Sequence, residues 1–359
     1  MIPLFKVKMS PAVGESVNKT LLSGFIGQGP KVEEFENLLW KSLKTKTRPI
    51  TLNSCTSAID LALELCNVGP DDEVITSPQT CFASNVGAIH RRARLRWADI
   101  DPITGLIDPV HVAKLITKKT KAIIAVNWGG KFADYTELKK FGVPVIEDAA
   151  HTWDVFLDQP VDRGDYICYS FQAIKFLTTA DGGILVCPEH TEAEARILRW
   201  YGLDRTKNES FRCTQNITRV GFKYHMNDVN ATIGIENLPY AYESVNQSRE
   251  NSKFYCENIN NNLLTIPEYD DRCSYWLFSM HVQAGLKDHF TEYLTRHNIA
   301  CSPVHFRNDF YDSTLCFQES QLPGVDKFTD TQICIPNGWW VSVQDRQHIT
   351  ETLNVYKTV

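Results

Sequence analysis

Lys175 is the first residue of this sequence whose position suggests chemistry. It lies in "YICYSFQAIKFLTTADGG", shortly after an apolar, strand-like run, with Ile174 and Phe176 on either side. A lysine that is withdrawn from water can lose its proton near neutral pH and become a nucleophile towards carbonyl groups. Taken alone, Lys175 is equally consistent with a structural ion pair.

A second candidate is the acidic end of the apolar run in "VIEDAAH", which contains Glu147, Asp148 and His151. A carboxylate at the end of a buried strand is costly unless it has a cationic or proton-donating partner. A protonated heteroaromatic nitrogen would be such a partner. An internal salt bridge or a helix N-cap explains the same residues.

A third stretch, "NSCTSAIDL", places Cys55 and Thr56 at the start of a predicted helix. Free amide groups and hydroxyls converge at a helix amino end, where the helix dipole favours an anion such as phosphate. Ordinary N-capping is the alternative. Phe82, in "TCFAS", follows the next predicted strand and is placed either to stack on a flat ring or to pack in the core.

The order of these stretches suggests one ligand. A phosphate cup comes first, then the strand-end Asp148, and Lys175 follows 27 residues later (175 − 148). Pyridoxal 5′-phosphate (PLP) needs three such anchors, for its phosphate, its pyridine nitrogen and its aldehyde. The sequence therefore predicts a PLP site.

The elements that would position these residues alternate between strand and helix through the first two-thirds of the chain. Continuous apolar strands between amphipathic helices predict a mostly parallel sheet with helices on both faces, and ligands of such sheets bind at the carboxyl ends of the strands. The pattern changes near residue 235. We therefore expect a large α/β PLP-binding domain over residues 1–235 and a small α+β domain over 236–359, with one strand at 300–306.

Composition excludes several other classes of protein. The chain has 359 residues, 43% hydrophobic and 22% charged, which is typical of a globular protein. Its net charge of −6 argues against a nucleic-acid or anionic-membrane partner. No apolar run approaches the roughly 20 residues of a membrane span, and the start lacks a secretion signal. Eleven scattered cysteines without metal-ligand spacing indicate reduced thiols, no metal site and a cytoplasmic location.

The chain resembles the PLP-dependent nucleotide-sugar aminotransferases of the DegT/DnrJ/EryC1/StrS family. The matching stretches occur in the order and spacing of that family nearly from end to end: "SGFIGQGPKVEEFE", "NSCTSAIDLAL", "GPDDEVITSPQTCFAS", "TKAIIAVNWGGKFAD", "VIEDAAH", "SFQAIKFLTTADGG" and "GFKYHMNDVNATIG". Each stretch is weakly specific, but the ordered set is highly specific. The resemblance implies the PLP-dependent transferase fold type I (aspartate aminotransferase-like).

The resemblance also implies roles for individual residues. Lys175 matches the Schiff-base lysine, Asp148 the partner of the pyridine nitrogen, and His151 the residue near the ring hydroxyl. The other positions that match cofactor-binding residues are Phe82, which would stack on the ring, and Cys55, Thr56, Ser170 and Lys223, which would bind the phosphate. In this family the residue at the position of Lys223 reaches the phosphate across a dimer interface, so a homodimer with shared active sites is implied.

Three residues depart from the common family pattern. Cys55 stands where glycine is usual, Phe176 where asparagine often follows the lysine, and Lys223 where asparagine is commoner. None of them removes a catalytic group. The first two would alter cofactor affinity or the shape of the pocket.

For substrates, the resemblance implies glutamate (returned as 2-oxoglutarate) as amino donor and a keto group of a nucleotide-linked (deoxy)sugar as acceptor. The candidate substrate-binding residues are Phe25, Tyr201, His305 and Arg307. Arg307 could bind a diphosphate through its two-pronged guanidinium, or form a surface or interface ion pair instead. His305 is equally consistent with a packed core histidine.

Two other functions remain open at this point. One is a PLP-dependent sugar dehydratase or related lyase; a dehydratase relative carries histidine at the lysine position, so Lys175 argues against it. The other is a catalytically silent PLP-fold sensor or partner protein. The presence of Lys175, Asp148 and His151 argues against that function.

Overall fold

A seven-stranded sheet organises the first part of the chain. We describe residues 1–153, 163–207, 214–314, 317 and 321–358 of a computed structural model. The strands are β1 (Ile50–Leu52), β2 (Glu73–Thr76), β3 (Arg94–Trp97), β4 (Thr120–Val126), β5 (Val145–Asp148), β6 (Tyr166–Ser170) and β7 (Gly183–Val186). Their order across the sheet is β1-β7-β6-β5-β4-β2-β3. All neighbours are parallel except β7, which runs antiparallel to β1 and β6. The predicted mostly parallel α/β sheet is confirmed.

Helices cover this sheet. They are α1 (Val13–Leu22), α2 (Pro30–Leu43), α3 (Cys55–Leu65), α4 (Ala83–His90), α5 (Pro109–Leu115), α6 (Tyr135–Lys139) and α7 (Glu189–Leu198). Successive residues of β4 alternate between two apolar clusters: Ala122 and Ile124 pack on one face, Ile123 and Ala125 on the other. From Ala122 to Val126 the strand is continuously apolar because both of its faces are buried there.

The reversed strand β7 determines where the lysine segment lies. Residues 171–182 connect β6 directly to β7, its antiparallel neighbour, and therefore stay at the carboxyl edge of the parallel strands. The Phe171 amide donates to the Gly182 carbonyl at 2.8 Å, which closes the base of the connection. Lys175 is thus presented at the edge where ligands of such sheets bind.

The long helix α8 (Asp228–Asn258) holds this connection in place. The Asn230 side-chain amide donates to the carbonyls of Thr179 and Asp181, both at 2.8 Å, and that of Asn237 donates to Thr178 at 2.9 Å. These bonds satisfy backbone carbonyls that the short connection leaves without strand partners. The lysine segment is consequently fixed by strands at its ends and by α8 in its second half.

A second, antiparallel sheet follows α8. Its strands β8 (Leu264–Thr265), β9 (Phe278–Val282) and β10 (Gln332–Ile335) lie in the order β10-β9-β8. The helices of this part are α9 (Lys287–Arg296), α10 (Pro323–Thr331) and α11 (Val343–Asn354). The strand predicted at 300–306 is wrong, since only an isolated bridge joins Ser302 to Cys334. Pro303 has no amide hydrogen to continue the ladder.

The predicted boundary between residues 235 and 236 falls inside α8, and the division into two domains at that point stays a prediction. The amino end of the chain lies with the later residues, because Ile2 forms a bridge with Ile299. In the described part of the chain, no helix combines the length and hydropathy needed to cross a membrane.

Candidate active site

The candidate site is the carboxyl edge of the central strands. Asp148 is the last residue of β5, Ser170 is the last of β6, and Cys55 begins the helix that follows β1. These strands run in the same direction, so their carboxyl ends meet at one edge. Lys175 reaches this edge from the β6–β7 connection. The four predicted groups are therefore brought together.

Asp148 is a buried carboxylate with two neutral donors. Its Oδ2 accepts a hydrogen bond from Ser84 Oγ at 2.6 Å, and its Oδ1 accepts one from the Ala150 amide at 3.0 Å. Burial raises the pKa of Asp148, while the hydrogen bonds and the charge of Lys175 act in the opposite direction. The carboxylate thus lies in a place where a cationic partner would stabilise it.

Glu147 is directed away from Asp148, because successive strand residues face opposite sides of a sheet. Its carboxylate forms a salt bridge with Arg163 at 2.6 Å and accepts a hydrogen bond from Asn127 Nδ2 at 2.7 Å. The salt-bridge alternative for "VIEDAAH" therefore describes Glu147, and Asp148 is the acid at the site.

The amino group of Lys175 rests on an aromatic face. Its Nζ lies 3.4 Å from the centre of the Trp276 ring, a cation–π contact. Desolvation lowers the pKa of Lys175 to about 8, although the nearby Asp148 acts to raise it. At pH 7 about a tenth of the amine is then neutral, far more than for a surface lysine. Lys175 is therefore suited to act as a nucleophile.

This pKa predicts how cofactor capture depends on pH. Only the neutral amine attacks an aldehyde, so the capture rate should rise about tenfold per pH unit below pH 8 and level off above it. The measurement is the rate at which visible absorbance grows when cofactor-free protein meets PLP, from about pH 6 to about pH 10. A rate that keeps rising to pH 10, as for a solvated lysine, would contradict the assignment.

His151 is neutral and oriented. Its Nδ1 accepts a hydrogen bond from the Gly129 amide at 3.2 Å, so the ring proton lies on Nε2. Burial, with the charge of Lys175 nearby, lowers the pKa of His151 well below its usual value. The ring stacks on Trp276 with centres 4.1 Å apart. His151 thus offers an Nε2–H donor at the site.

His305 lies behind His151. The two rings are stacked with centres 5.7 Å apart, and burial lowers the pKa of His305 to about 4. Its Nε2 is buried and has no hydrogen-bond partner among the described residues. A buried polar atom without a partner is costly and marks a place where a ligand could bind.

Trp276 was not predicted from the sequence. Its indole carries Lys175 on its face, stacks on His151 and donates Nε1–H to the Ile174 carbonyl at 3.0 Å. The residue precedes β9 of the second sheet, and no local pattern connects it with Lys175. Ser84 was also missed, although its place in "TCFAS", two residues after Phe82, offered a signal.

The amino end of α3 is an open cup. Ser54 caps the helix by accepting the Ser57 amide at 3.1 Å, whereas the amides of Cys55 and Thr56 have no acceptor within the described residues. The Cys55 thiol is directed into the sheet, with Sγ 3.6 Å from the Cys168 carbonyl, and burial keeps its pKa high. A side chain at this glycine-type position is therefore accommodated away from the free amides.

Gly183 forms the floor of this cup. A Cβ atom there would lie 2.6 Å from the Cys55 nitrogen and 2.7 Å from the Tyr169 carbonyl oxygen. We expect Gly183→Ala to push α3 outwards and to weaken PLP binding about tenfold or more, with a lower melting temperature. Equilibrium dialysis and thermal unfolding measure both quantities. The control is Gly14→Ala, where nothing lies within 4 Å of the new methyl group; unchanged PLP affinity in Gly183→Ala would contradict the cup.

The remaining predicted residues lie further out. Phe82 is half-buried, with its ring edge-on to Tyr311 at 5.2 Å. Phe25, Tyr201 and Lys223 are exposed. Within the described ranges, no hydrogen bond, ion pair or ring contact links these three side chains to Lys175, Asp148 or His151.

Arg307 is occupied by carboxylates. It is buried, donates to Asp309 at 2.8 and 2.6 Å, and pairs with Asp326 through its other nitrogen. Its guanidinium also lies over the Phe310 ring, 4.1 Å from the centre. Arg307 therefore forms ion pairs within the chain. This agrees better with the ion-pair alternative than with a role in binding a diphosphate.

The chain is similar to known proteins over nearly its whole length. AtS13 from Actinomadura melliaura is 34% identical with a TM-score of 0.93, and the sugar aminotransferase CalS13 from Micromonospora echinospora is 31% identical with a TM-score of 0.91; each match covers 99% of both chains. The spore coat polysaccharide biosynthesis protein SpsC of Bacillus subtilis is 29% identical over 90% of this chain and 88% of its own. The DegT/DnrJ/EryC1/StrS aminotransferase family profile matches residues 9–354. The chain belongs to this family.

Proposed function

We propose that this chain is a PLP-dependent aminotransferase that moves an amino group from glutamate to a keto group of a nucleotide-linked sugar. The observation that carries the proposal is the convergence of Lys175, Asp148 and the open end of α3 on one edge of the sheet. CalS13 is described as a sugar aminotransferase, and that likeness supports the sugar as acceptor.

The residues present fit the cofactor. The free amides of Cys55 and Thr56, with Ser170, would hold the phosphate, and Asp148 would pair with the ring nitrogen. Lys175 would bind the aldehyde, and Phe82 would stack on the ring. When bound, the cofactor stabilises the negative charge that develops on the substrate carbon as a proton leaves it.

The side chains of this chain then have distinct tasks. Lys175 would take the proton from the substrate carbon and deliver it to the carbon on the other side of the transferred nitrogen, because its lowered pKa lets Nζ act as both base and acid near neutral pH. Asp148 would retain the proton on the ring nitrogen through its charge. His151 would donate its Nε2–H to the ring hydroxyl, since Nδ1 accepts from the Gly129 amide. His305 Nε2 is available to a polar group of the substrate.

The proposed active unit is a homodimer, in which Lys223 of one subunit reaches the phosphate held by the other. Several large apolar side chains are exposed in the described structure, among them Leu22, Phe25, Ile26 and Val220. Exposed apolar surface of this kind is typical of subunit interfaces. Light scattering of the purified protein measures the assembly, and a stable, active monomer would contradict the shared site.

The function is tested in two half-reactions. Glutamate should discharge the visible absorbance of the PLP-loaded enzyme and yield 2-oxoglutarate. The aminated enzyme should then convert one member of a panel of keto-sugar nucleotides to an amino sugar, seen by mass spectrometry. Absorbance that glutamate cannot discharge would favour the lyase, and a protein that stays colourless with PLP would end both PLP-dependent functions.

A further inference from the structure

A groove next to Lys175 is lined by side chains that the proposed chemistry does not use. It is a narrow groove between the lysine segment, the amino-terminal residues and the tryptophan pair before α11. Phe176, the residue that departs from the family pattern, lines it.

The groove carries uncompensated positive charge. Lys6 and Lys8 project to the same side of an extended segment, and their Nζ atoms lie 5.2 and 4.5 Å from the centre of the Trp339 ring. Together with Lys175, three lysines line the groove, and none of its described lining residues is acidic. Neither Lys6 nor Lys8 forms an ion pair within the described residues. A chain of net charge −6 thus presents a local cationic site.

The aromatic walls are held in place. Trp339 Nε1 donates to the Lys6 carbonyl at 3.3 Å, and Trp340 Nε1 donates to the Pro3 carbonyl at 2.8 Å. Trp339 is half-buried, so part of its side chain remains accessible to a ligand. The cations and the flat surface are therefore fixed relative to each other.

The groove is continuous with the candidate active site. Phe5 stacks on Trp276 with ring centres 5.1 Å apart, and the same indole carries the amino group of Lys175. A substrate that reacts at Lys175 can extend along this aromatic wall towards Lys6 and Lys8. Arg307, the other cation considered for a diphosphate, is already neutralised by Asp309 and Asp326.

We propose that this groove binds the nucleoside diphosphate portion of the substrate, with the diphosphate on Lys6 and Lys8 and the base against Trp339. The inference rests on the proposed function, because it assigns the part of the sugar nucleotide that does not react. A diphosphate carries negative charges that can pair with the two ammonium groups of Lys6 and Lys8. The base has a planar face that can stack on the indole of Trp339.

The test measures the binding of UDP, dTDP and GDP to the PLP-loaded enzyme by calorimetry. At least one should bind, and the double variant Lys6→Gln/Lys8→Gln should weaken it about tenfold or more, with a smaller dependence on salt. Lys118→Gln/Lys121→Gln removes the same charge from exposed lysines at the amino end of β4, and should leave binding unchanged. If both double variants weakened nucleotide binding equally, the overall charge of the protein would explain the binding, and the proposed groove site would be wrong.

Trp339 gives a second, independent variant. Trp339→Ala should weaken binding of the same nucleotide about tenfold. Trp339→Phe, which keeps a flat ring, should retain most of the affinity. The visible absorbance of the bound cofactor and the melting temperature verify that each variant is folded. Unchanged affinity in both Trp339→Ala and the double lysine variant would overturn the proposal.

Failure of the groove and failure of the proposed function give different results. A wild-type enzyme that responds to glutamate but binds none of the three nucleotides would overturn the groove alone. A wild-type enzyme that binds a nucleotide through Lys6, Lys8 and Trp339 but does not respond to glutamate would overturn the function alone. If the Lys6→Gln/Lys8→Gln variant reacted more slowly with glutamate but kept its nucleotide affinity, these lysines would bind the amino donor. The proposed nucleotide site would then be wrong.

Discussion

Lys175→Ala should abolish turnover while leaving the cofactor bound. The substitution removes both the group that attaches the aldehyde and the base that moves the substrate proton, so both half-reactions should slow on the order of a thousandfold or more. The α3 cup and Asp148 remain, so PLP should still bind non-covalently. Borohydride reduction followed by peptide mass spectrometry should fix PLP to the Lys175 peptide in the wild type and to no peptide in the variant.

Lys140→Ala is the matched control for this variant. Lys140 is a solvent-exposed lysine whose partner is Glu137 on the same short helix segment, so its loss should not affect either half-reaction. Near-normal turnover in Lys175→Ala, or PLP fixed to another lysine in the wild type, would be incompatible with the proposed role of Lys175.

Asp148→Asn should cause the second-largest loss. The amide has nearly the same shape: its Oδ1 can accept from the Ala150 amide and its Nδ2 can donate to Ser84 Oγ, but it carries no charge to retain a proton on the ring nitrogen. We expect both half-reactions to slow on the order of a hundred- to a thousandfold. Stopped-flow absorbance with glutamate measures the first half-reaction directly.

Two measurements separate this effect from damage to the fold. The melting temperature of Asp148→Asn should not fall, because a buried charge has been replaced by a neutral group of the same size. Ser84→Ala, which keeps the charge and removes one hydrogen bond, should cost only about tenfold in rate. If Ser84→Ala and Asp148→Asn had equal effects, geometry rather than charge would explain the role of Asp148.

The sequence predicted the sheet and the polar groups at its edge because both depend on local patterns. Continuous apolar runs identify strands buried on two faces, and the residues that follow them must lie at one edge when the strands are parallel. Lys175, Asp148 and Cys55 could therefore be placed together without any contact information. The direction of β7, which closes the lysine segment, was not part of that pattern.

The parts of the site that the sequence did not reveal come from the second sheet and the amino terminus. Trp276 reaches Lys175 through tertiary packing between segments about a hundred residues apart, which leaves no periodic signal. Arg307 looked available for a phosphate because sequence spacing does not show that Asp326, on α10, folds back onto it. Phe176 could not be explained from the sequence, since the groove it lines is formed by segments that lie far apart in the chain.

The antiparallel direction of β7 has a mechanical consequence. Lys175 lies in the segment that joins two neighbouring strands, β6 and β7, of the central sheet. Asn230 and Asn237 of α8 form hydrogen bonds with the same segment. Trp276, by contrast, lies beside β9 of the second sheet. The indole is nevertheless bonded to the Ile174 carbonyl of the lysine segment, and the backbone on either side of it is bonded to Gly129 and Gly130 after β4, so the amine and the ring beneath it form one rigid unit.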